Sequence, residues 1–323
     1  VPTTARAFWV RSPGEGEIRS VPLAEPGPDD VVVRMLFSGV SRGTESLVFR
    51  GGVPPGQYAA MRAPFQEGDF PGPVKYGYLA VGVVESGPLL GRTVFCLHPH
   101  QTRFVVPAAA VTPVPDDVPA ARAVLAGTVE TAVNALWDAA PLVGDRIAVV
   151  GAGMVGCSVA AVLAGIPGVR VELVDTDPGR AAVAAALGVG FAAPDDALGG
   201  CDLVVHASAT DAGLARSLDL LAAEGEVVEL SWYGDRPVLV PLGGAFHAKR
   251  LTIRGSQVGT VSPRRAGRGY ADRMALALRL LADPRFDVLI SGECRFDDLP
   301  DLMSSEPPGL CVRVLYGETS RPT

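Results

Sequence analysis

The residues best disposed to do chemistry lie between Asp145 and Asp177. There an apolar run, Ile147-Ala148-Val149-Val150, breaks into Gly151-Ala152-Gly153-Met154-Val155-Gly156, and a second apolar run, Val171-Glu172-Leu173-Val174, ends in Asp175. These types at this spacing describe a seat for a dinucleotide. Gly151 permits the tight turn out of a strand, Gly153 removes the side chain that would hold a pyrophosphate off the backbone, and Gly156 lets the following helix pack closely on the sheet. The phosphates are then expected at the helix N-terminus, on the free N–H groups around Met154 and Val155 and the positive end of the helix dipole. Asp175 stands nineteen residues after Gly156, where a carboxylate can accept hydrogen bonds from both ribose hydroxyls of an adenosine. With Thr176 beside it, Asp175 points to NAD(H), because its charge repels a 2′-phosphate; Arg180 keeps NADP(H) as the second choice.

A second group of reactive types is Cys96, His98 and His100. Read as one strand, the alternation turns all three to one face, as metal donors would require. Adjacent same-face residues on a flat strand nevertheless stand too nearly in a line to wrap a tetrahedral ion, so no metal is expected here. The other readings are that His98 or His100 lines a substrate cleft and shuttles a proton, or that both sit in a solvent-facing loop.

The elements that must position these residues differ along the chain. Before residue 120, Pro and Gly punctuate short β-like runs at 31–36, 80–85, 93–97 and 103–106, as in a β-rich domain with long loops. After it, strands are expected at 146–150, 169–174, 203–206 and 226–230, with helices near 155–164, 179–187 and 212–223 between them, then a last helix at 269–282 and a β-like end at 310–316. Such alternation specifies a parallel sheet with helices on both faces and ligands beyond the carboxyl ends of its strands, which adds Ala207, Ser208, Ser231 and Trp232 as cofactor contacts. The fold class is therefore α/β. With 323 residues, 48% hydrophobic and 20% charged, the chain can bury two cores. No apolar run is long enough for a membrane span. Pro13, Gly14 and Gly16 break any signal-peptide core, so the expected location is cytoplasmic. A net charge of −7, with only Arg264, Arg265 and Arg268 clustered, argues against a nucleic-acid partner. Five scattered cysteines without a CxxC pair read as free thiols.

Over nearly its whole length the chain resembles the medium-chain dehydrogenase/reductase superfamily, whose members are alcohol dehydrogenase-like. The matching pieces are Glu25-Pro26-Gly27-Pro28-Asp29-Asp30, Gly39-Val40-Ser41-Arg42-Gly43-Thr44-Glu45, Gly77-Tyr78-Leu79-Ala80-Val81-Gly82, Gly91-Arg92-Thr93-Val94-Phe95 and the glycine turn. The resemblance implies a GroES-like β-barrel catalytic domain over 1–125 and 262–323 and a Rossmann cofactor domain, with a doubly wound parallel sheet, over 126–261. It also shows departures. Ser41 stands where zinc-dependent members carry a cysteine, and Tyr78 where they carry the histidine of a Gly-His-Glu. Glu130 matches a carboxylate that some members use as third ligand, but one donor does not hold a metal. A zinc-independent member is the expectation, with Cys96, His98 and His100 as the zinc-dependent alternative.

Without zinc, the charge that develops during hydride transfer needs hydrogen-bond donors and a general acid. Tyr78, the candidate by position, either is that acid or simply fills the vacated metal pocket, with Ser41, Thr44 and Lys75 as further donors. Lys75 either lowers the pKa of Tyr78, binds a substrate carboxylate, or lies at the surface. The resemblance places Arg42 near the pyrophosphate and Thr131 against the nicotinamide. The 37–47 segment resembles the bacteriochlorophyllide hydroxyethyl dehydrogenase subgroup, and the 51–70 insertion, with Tyr58, Met61 and Phe65, is either a lid over a bulky ligand or an ordinary excursion. The expected function is an NAD(P)(H)-dependent oxidoreductase for a small-molecule alcohol, carbonyl or enone. Its rival is a non-catalytic or regulatory dinucleotide-binding homologue. By analogy with the family, 250–255 pairs with its twin in a homodimer.

Overall fold

A computed structural model describes residues 3–305 and 307–317. Residues 1–2, Glu306 and 318–323, which the sequence assigned to the catalytic domain, lie outside the described residues. The chain divides into two units, Val1–Gly127 with Ile290–Thr323, and Thr128–Leu289.

In the first unit, β1 (Thr4–Ser12) pairs antiparallel with β2 (Glu15–Pro22), and its side chains alternate between buried and exposed through Arg6, as a half-covered strand demands. β3 (Asp30–Ser41) is buried continuously at Val31, Val32 and Val33 and runs straight into α1 (Arg42–Phe49). The short β4 (Glu67–Gly68) and β5 (Val74–Lys75) complete a sheet of order β2-β1-β5-β4. Next come β6 (Ala80–Ser86), β7 (Thr93–Cys96), β8 (Arg103–Pro107), β9 (Val111–Pro113) and the short α2 (Ala120–Ala123). β7 ends at Cys96, before Pro99, which lacks the N–H a ladder needs, so Cys96, His98 and His100 do not share one strand as expected.

α3 (Ala126–Ala139) leads to the parallel strands β10 (Arg146–Val150), β11 (Arg170–Val174), β12 (Gly190–Ala192), β13 (Cys201–His206), β14 (Leu221–Glu229) and β15 (Thr252–Gly255). Their order, β12-β11-β10-β13-β14-β15, is that of a doubly wound dinucleotide-binding sheet, reversing direction beside β10. β10 is apolar from Ile147 to Val150 because helices cover both faces of such a sheet. The crossovers are α4 (Met154–Leu163), α5 (Arg180–Leu187), α6 (Asp211–Leu220) and the short α7 (Ala245–Ala248). One core joins Ala148, Val150, Val174, Val204 and Val227 of the sheet, and Leu251 just before β15, to Leu214 and Leu218 of α6.

Two expectations differ here. The helix expected to reach residue 223 stops at Leu220, and β14 begins at Leu221, which pairs with Cys201 of β13: sheet pairing overrides the helical preference of Ala222 and Ala223. Residues 262–289, assigned by sequence to the catalytic domain, group with the second unit. They carry α8 (Tyr270–Leu280), and its buried Arg273 donates to Glu130 and Asn134 on α3 at 3.0 and 2.6 Å and to the Val258 carbonyl at 2.6 Å. The chain then returns to the first unit through β16 (Ile290–Arg295), α9 (Leu299–Ser304) and β17 (Cys311–Leu315), which joins β3 in a sheet of order β16-β17-β3-β6-β7-β9, with β8 also on β3. No helix among the described residues is long and apolar enough to cross a membrane.

Candidate active site

In the second unit the glycine turn joins β10 to α4. Gly151 adopts φ 103°, and a Cβ on it would lie 2.6 Å from the Ser208 nitrogen. A Cβ on Gly156 would lie 1.9 Å from the Gly151 carbonyl oxygen, so only glycine lets α4 sit against the turn. Gly153 is the opposite case: nothing lies within 4 Å of where its Cβ would stand, leaving the helix entrance open. The first bond of the helix runs from Cys157 N to Gly153 O, so the N–H groups of Met154 and Val155 precede it and point out of its N-terminus. Asp175 directly follows β11, with one carboxylate oxygen accepting from Ala152 N at 2.6 Å and the other from Asp177 N at 2.9 Å. Thr176 beside it is exposed, and Arg180 is drawn to Asp177 at 3.2 Å. These residues fit a dinucleotide: an open helix N-terminus, a close turn and a fixed carboxylate.

Ala207, Ser208, Ser231 and Trp232 follow β13 and β14 at the same end of the sheet, and Thr131 lies on α3 of this unit. The sequence did not single out the pair that ties Ser208 to Ser231. His206 and Glu229 are register partners on adjacent strands, with Nδ1 of the fully buried ring 2.6 Å from the carboxylate. The only local signal was a histidine after Leu203-Val204-Val205 and a glutamate after Val227-Val228, each closing a short apolar run.

The first unit holds the remaining candidates in two clusters. In one, half-buried Tyr78 is hydrogen-bonded to the hydroxyls of Ser41 and Thr44, while burial, and then the charge of Glu45, raise its pKa above the usual phenol range. Glu45 is fully enclosed. One of its oxygens accepts from Ser41 N at 2.8 Å and the other meets His100 Nε2 at 2.7 Å. The other nitrogen of His100 is 2.6 Å from Ser38 Oγ, which lies 2.9 Å from the Tyr316 hydroxyl. Gly77 makes room for the imidazole: its φ is 129° and a Cβ there would lie 2.8 Å from His100 Cδ2. His100 therefore lines no open cleft; it braces the segment that carries Ser41 and Thr44. Ser38 and Tyr316 were missed, being far from His100 in sequence. Arg42 is exposed at the start of α1.

The other cluster meets Tyr78 only through Tyr76, whose ring stands edge-on to it at 6.0 Å. Lys75 is buried, not a surface lysine, and donates to Gln101 Oε1 at 2.7 Å and to Glu67; burial lowers its pKa, with Glu67 opposing. His98 stacks on Phe104 at 3.9 Å and on Phe65 at 5.6 Å, and burial holds its pKa down to about 3, so at neutral pH it is an uncharged packing residue rather than a proton shuttle. Through Phe65, and through Phe70 packed between Tyr58 and Tyr76, the 51–70 insertion is tied to this unit.

A catalytic zinc does not fit these residues. Cys96 Sγ turns to the Ala110 carbonyl, and His98 and His100 have the separate partners just described. Glu130 is held by Arg273. Among the described residues no group of three or more His, Cys, Asp or Glu is arranged to hold a metal ion.

No family model matches the chain. A stretch of 89 residues is 36% identical to the 2-desacetyl-2-hydroxyethyl bacteriochlorophyllide A dehydrogenase of Cereibacter sphaeroides, over 26% of this chain and 24% of that protein. The match thus spans about a quarter of that relative's length. Solved structures are similar over nearly the whole chain. A Sinorhizobium meliloti protein described as a zinc-binding dehydrogenase, bound to NADP, has a TM-score of 0.78 at 18% identity, covering 97% of this chain and 100% of its own. A short chain alcohol dehydrogenase from Escherichia coli complexed with NADH scores 0.79 at 17% identity with the same coverage, 97% and 100%. The 2R,3R-butanediol dehydrogenase of Bacillus subtilis scores 0.77 at 17% identity, over 96% of this chain and 99% of its own. The chain has the two-unit, alcohol dehydrogenase-like fold of these proteins.

Proposed function

We propose that the chain is an oxidoreductase of the medium-chain type that passes a hydride between a nicotinamide dinucleotide and an alcohol, carbonyl compound or enone without a catalytic zinc. The observation that carries this reading is the glycine cradle: a turn and helix in van der Waals contact at Gly151 and Gly156, open at Gly153, with Asp175 fixed beside it. The NADP and NADH of two structural neighbours support the same cofactor class. NAD(H) is preferred, because Asp175 would repel a 2′-phosphate and Arg180, five residues on, is engaged by Asp177.

When bound, the nicotinamide supplies the hydride chemistry. The chain supplies the proton. Tyr78 stays a neutral phenol, so it donates a hydrogen bond to the substrate oxygen, and because an alkoxide is a stronger base than a phenolate it can complete the reduction by giving up that proton. Ser41 and Thr44 orient the phenol and can return a proton to it. Glu45 and His100 hold those two hydroxyls in place. A homodimer joined through β15, working in the cytoplasm, completes the proposal.

The test begins with metal-analysed protein titrated with NADH and NADPH by nicotinamide fluorescence, with and without a chelator. A screen of secondary alcohols and ketones follows, including a hydroxyethyl-bearing macrocycle because of the local likeness to the Cereibacter sphaeroides enzyme. Tyr78→Phe should lower kcat by about 10²–10⁴-fold and leave NADH affinity unchanged. Stoichiometric zinc with chelator-sensitive turnover would overturn the metal-free mechanism. NADH binding without turnover of any compound would favour the non-catalytic homologue.

A further inference from the structure

The polar group at the ends of β13 and β14 is built more elaborately than a sheet edge needs. His206 is wholly buried, with Nδ1 on Glu229 at 2.6 Å and Nε2 on Ser208 Oγ at 2.7 Å. Ser208 Oγ continues to Thr210 Oγ1 at 2.8 Å, and Thr210 caps α6 by accepting from Gly213 N at 3.0 Å. Glu229 also accepts from Ser231 N at 2.7 Å and from the Tyr233 hydroxyl at 3.2 Å, and the Tyr233 ring stacks on His206 at 6.4 Å. Burial pushes the Glu229 carboxyl up, but its bonds to His206 and Ser231 outweigh this and leave its pKa lowered.

These contacts converge on one short loop. Ala209 adopts φ 53°, the left-handed region that a residue with a Cβ avoids. Its N–H is held by Ser231 Oγ at 3.1 Å and its carbonyl by Arg236 at 2.6 Å. Gly213 is glycine for the same group, since a Cβ there would lie 2.1 Å from Ser208 Oγ and 2.8 Å from His206 Nε2. The loop closes directly on the glycine turn, where Ser208 N and Ala207 C stand 2.6 and 2.7 Å from a Cβ built on Gly151. A buried polar pair is weak evidence for stability, because apolar residues of like volume often do as well. Backbone held in a disfavoured region by several partners gathers where geometry matters for a ligand.

A doubly wound sheet binds one nucleotide with each of its halves. Asp175 follows a strand of the first half; β13 and β14 belong to the second. We propose that His206 and Glu229 are positioning residues, locking the 207–210 loop and Ser231 in the arrangement that receives the nicotinamide-side nucleotide of a bound dinucleotide. This rests on the dinucleotide reading above. Neither ring nor carboxylate needs to touch the ligand; they act through Ser208, Ala209 and Ser231.

The experiment compares NADH with AMP, which carries only the adenosine-side nucleotide, by fluorescence and calorimetric titration of the full chain. His206→Gln and Glu229→Gln should bind AMP within about twofold of the wild type and NADH about tenfold more weakly. If His206→Gln does not fold, Ser208→Ala, which removes the hydroxyl linking ring to loop, carries the same expectation. NADH affinity unchanged in the variants would overturn the proposal, as would equal weakening of AMP and NADH, which marks a merely structural role. Failure of the wild-type protein to bind NADH at all would remove the dinucleotide reading itself, and this proposal with it.

Discussion

Glu45→Ala isolates the brace behind Tyr78. The carboxylate is 4% exposed and its imidazole partner 1%, so neither group has water to fall back on. Truncation leaves His100 Nε2 without its partner at 2.7 Å and Ser41 N without its acceptor at 2.8 Å. An orphaned buried polar group costs about 1–3 kcal/mol, and breaking a buried pair from one side about 3–5 kcal/mol. Ser41 is half-buried and its N–H can recruit water, so the expected loss is about 3–4 kcal/mol. In a unit of this size each kcal/mol moves the melting temperature by roughly 2–4 °C, which predicts a fall of about 10 °C. Glu45→Gln keeps an oxygen for Ser41 N and an amide toward His100, so it should cost under about 2 kcal/mol. The assay is thermal unfolding at neutral pH followed by circular dichroism, with NADH titration alongside to check that the cradle of the other unit is intact. A drop below about 2 °C for Glu45→Ala, or equal drops for alanine and glutamine, would show that the pair does not hold the segment.

Three other outcomes follow from the same contacts. The pKa of His98 is held down to about 3 against its ordinary 6.5. The unfolded chain therefore takes up the proton first as pH falls, and stability that is full above 6.5 is lost progressively down to about 3, about 2 kcal/mol of it by about pH 5. His98→Phe, which keeps an aromatic ring against Phe104, should gain about 2 kcal/mol on the wild type between about pH 8 and pH 5; urea titrations showing a pH-independent difference would contradict this. Gly77→Ala forces a Cβ into the His100 ring at a positive φ and should destabilise by about 2–4 kcal/mol, and its melting shift should not add to that of Glu45→Ala. Asp175→Ser should weaken NADH about tenfold and bring the NADH and NADPH affinities together or invert them, read by fluorescence titration.

The glycine turn was legible because its requirements are local: Gly151 and Gly156 are set by backbone that their own neighbours supply, and Asp175 by the end of an apolar run. The doubly wound sheet was legible from period and composition. What the sequence hid was pairing at a distance. Nothing near His100 announces Glu45, and nothing near Ser38 announces Tyr316, since β17 meets β3 only once the fold has formed. The Cys96, His98 and His100 alternation misled because it assumed a strand that stops at Cys96. Residues 212–223 misled at one end because a pairing partner, Cys201, took Leu221 into the sheet. Lys75 looked like a surface residue because Gln101, its buried acceptor, lies on a different segment.

The five free thiols have a use that is neither structural nor catalytic. Burial pushes Cys96, Cys157 and Cys311 up to about 12, and Cys201 and Cys294 up to about 11. Alkylating reagents attack the thiolate, so at neutral pH the four buried thiols, Cys96, Cys157, Cys201 and Cys311, regain ordinary reactivity only when their surroundings open, while partly exposed Cys294 is the first reached. Cys96, Cys294 and Cys311 belong to one unit, Cys157 and Cys201 to the other. The molecule thus carries its own addressable clock: the order in which these thiols are alkylated under mild denaturant reports which unit breathes first, with no label engineered into either.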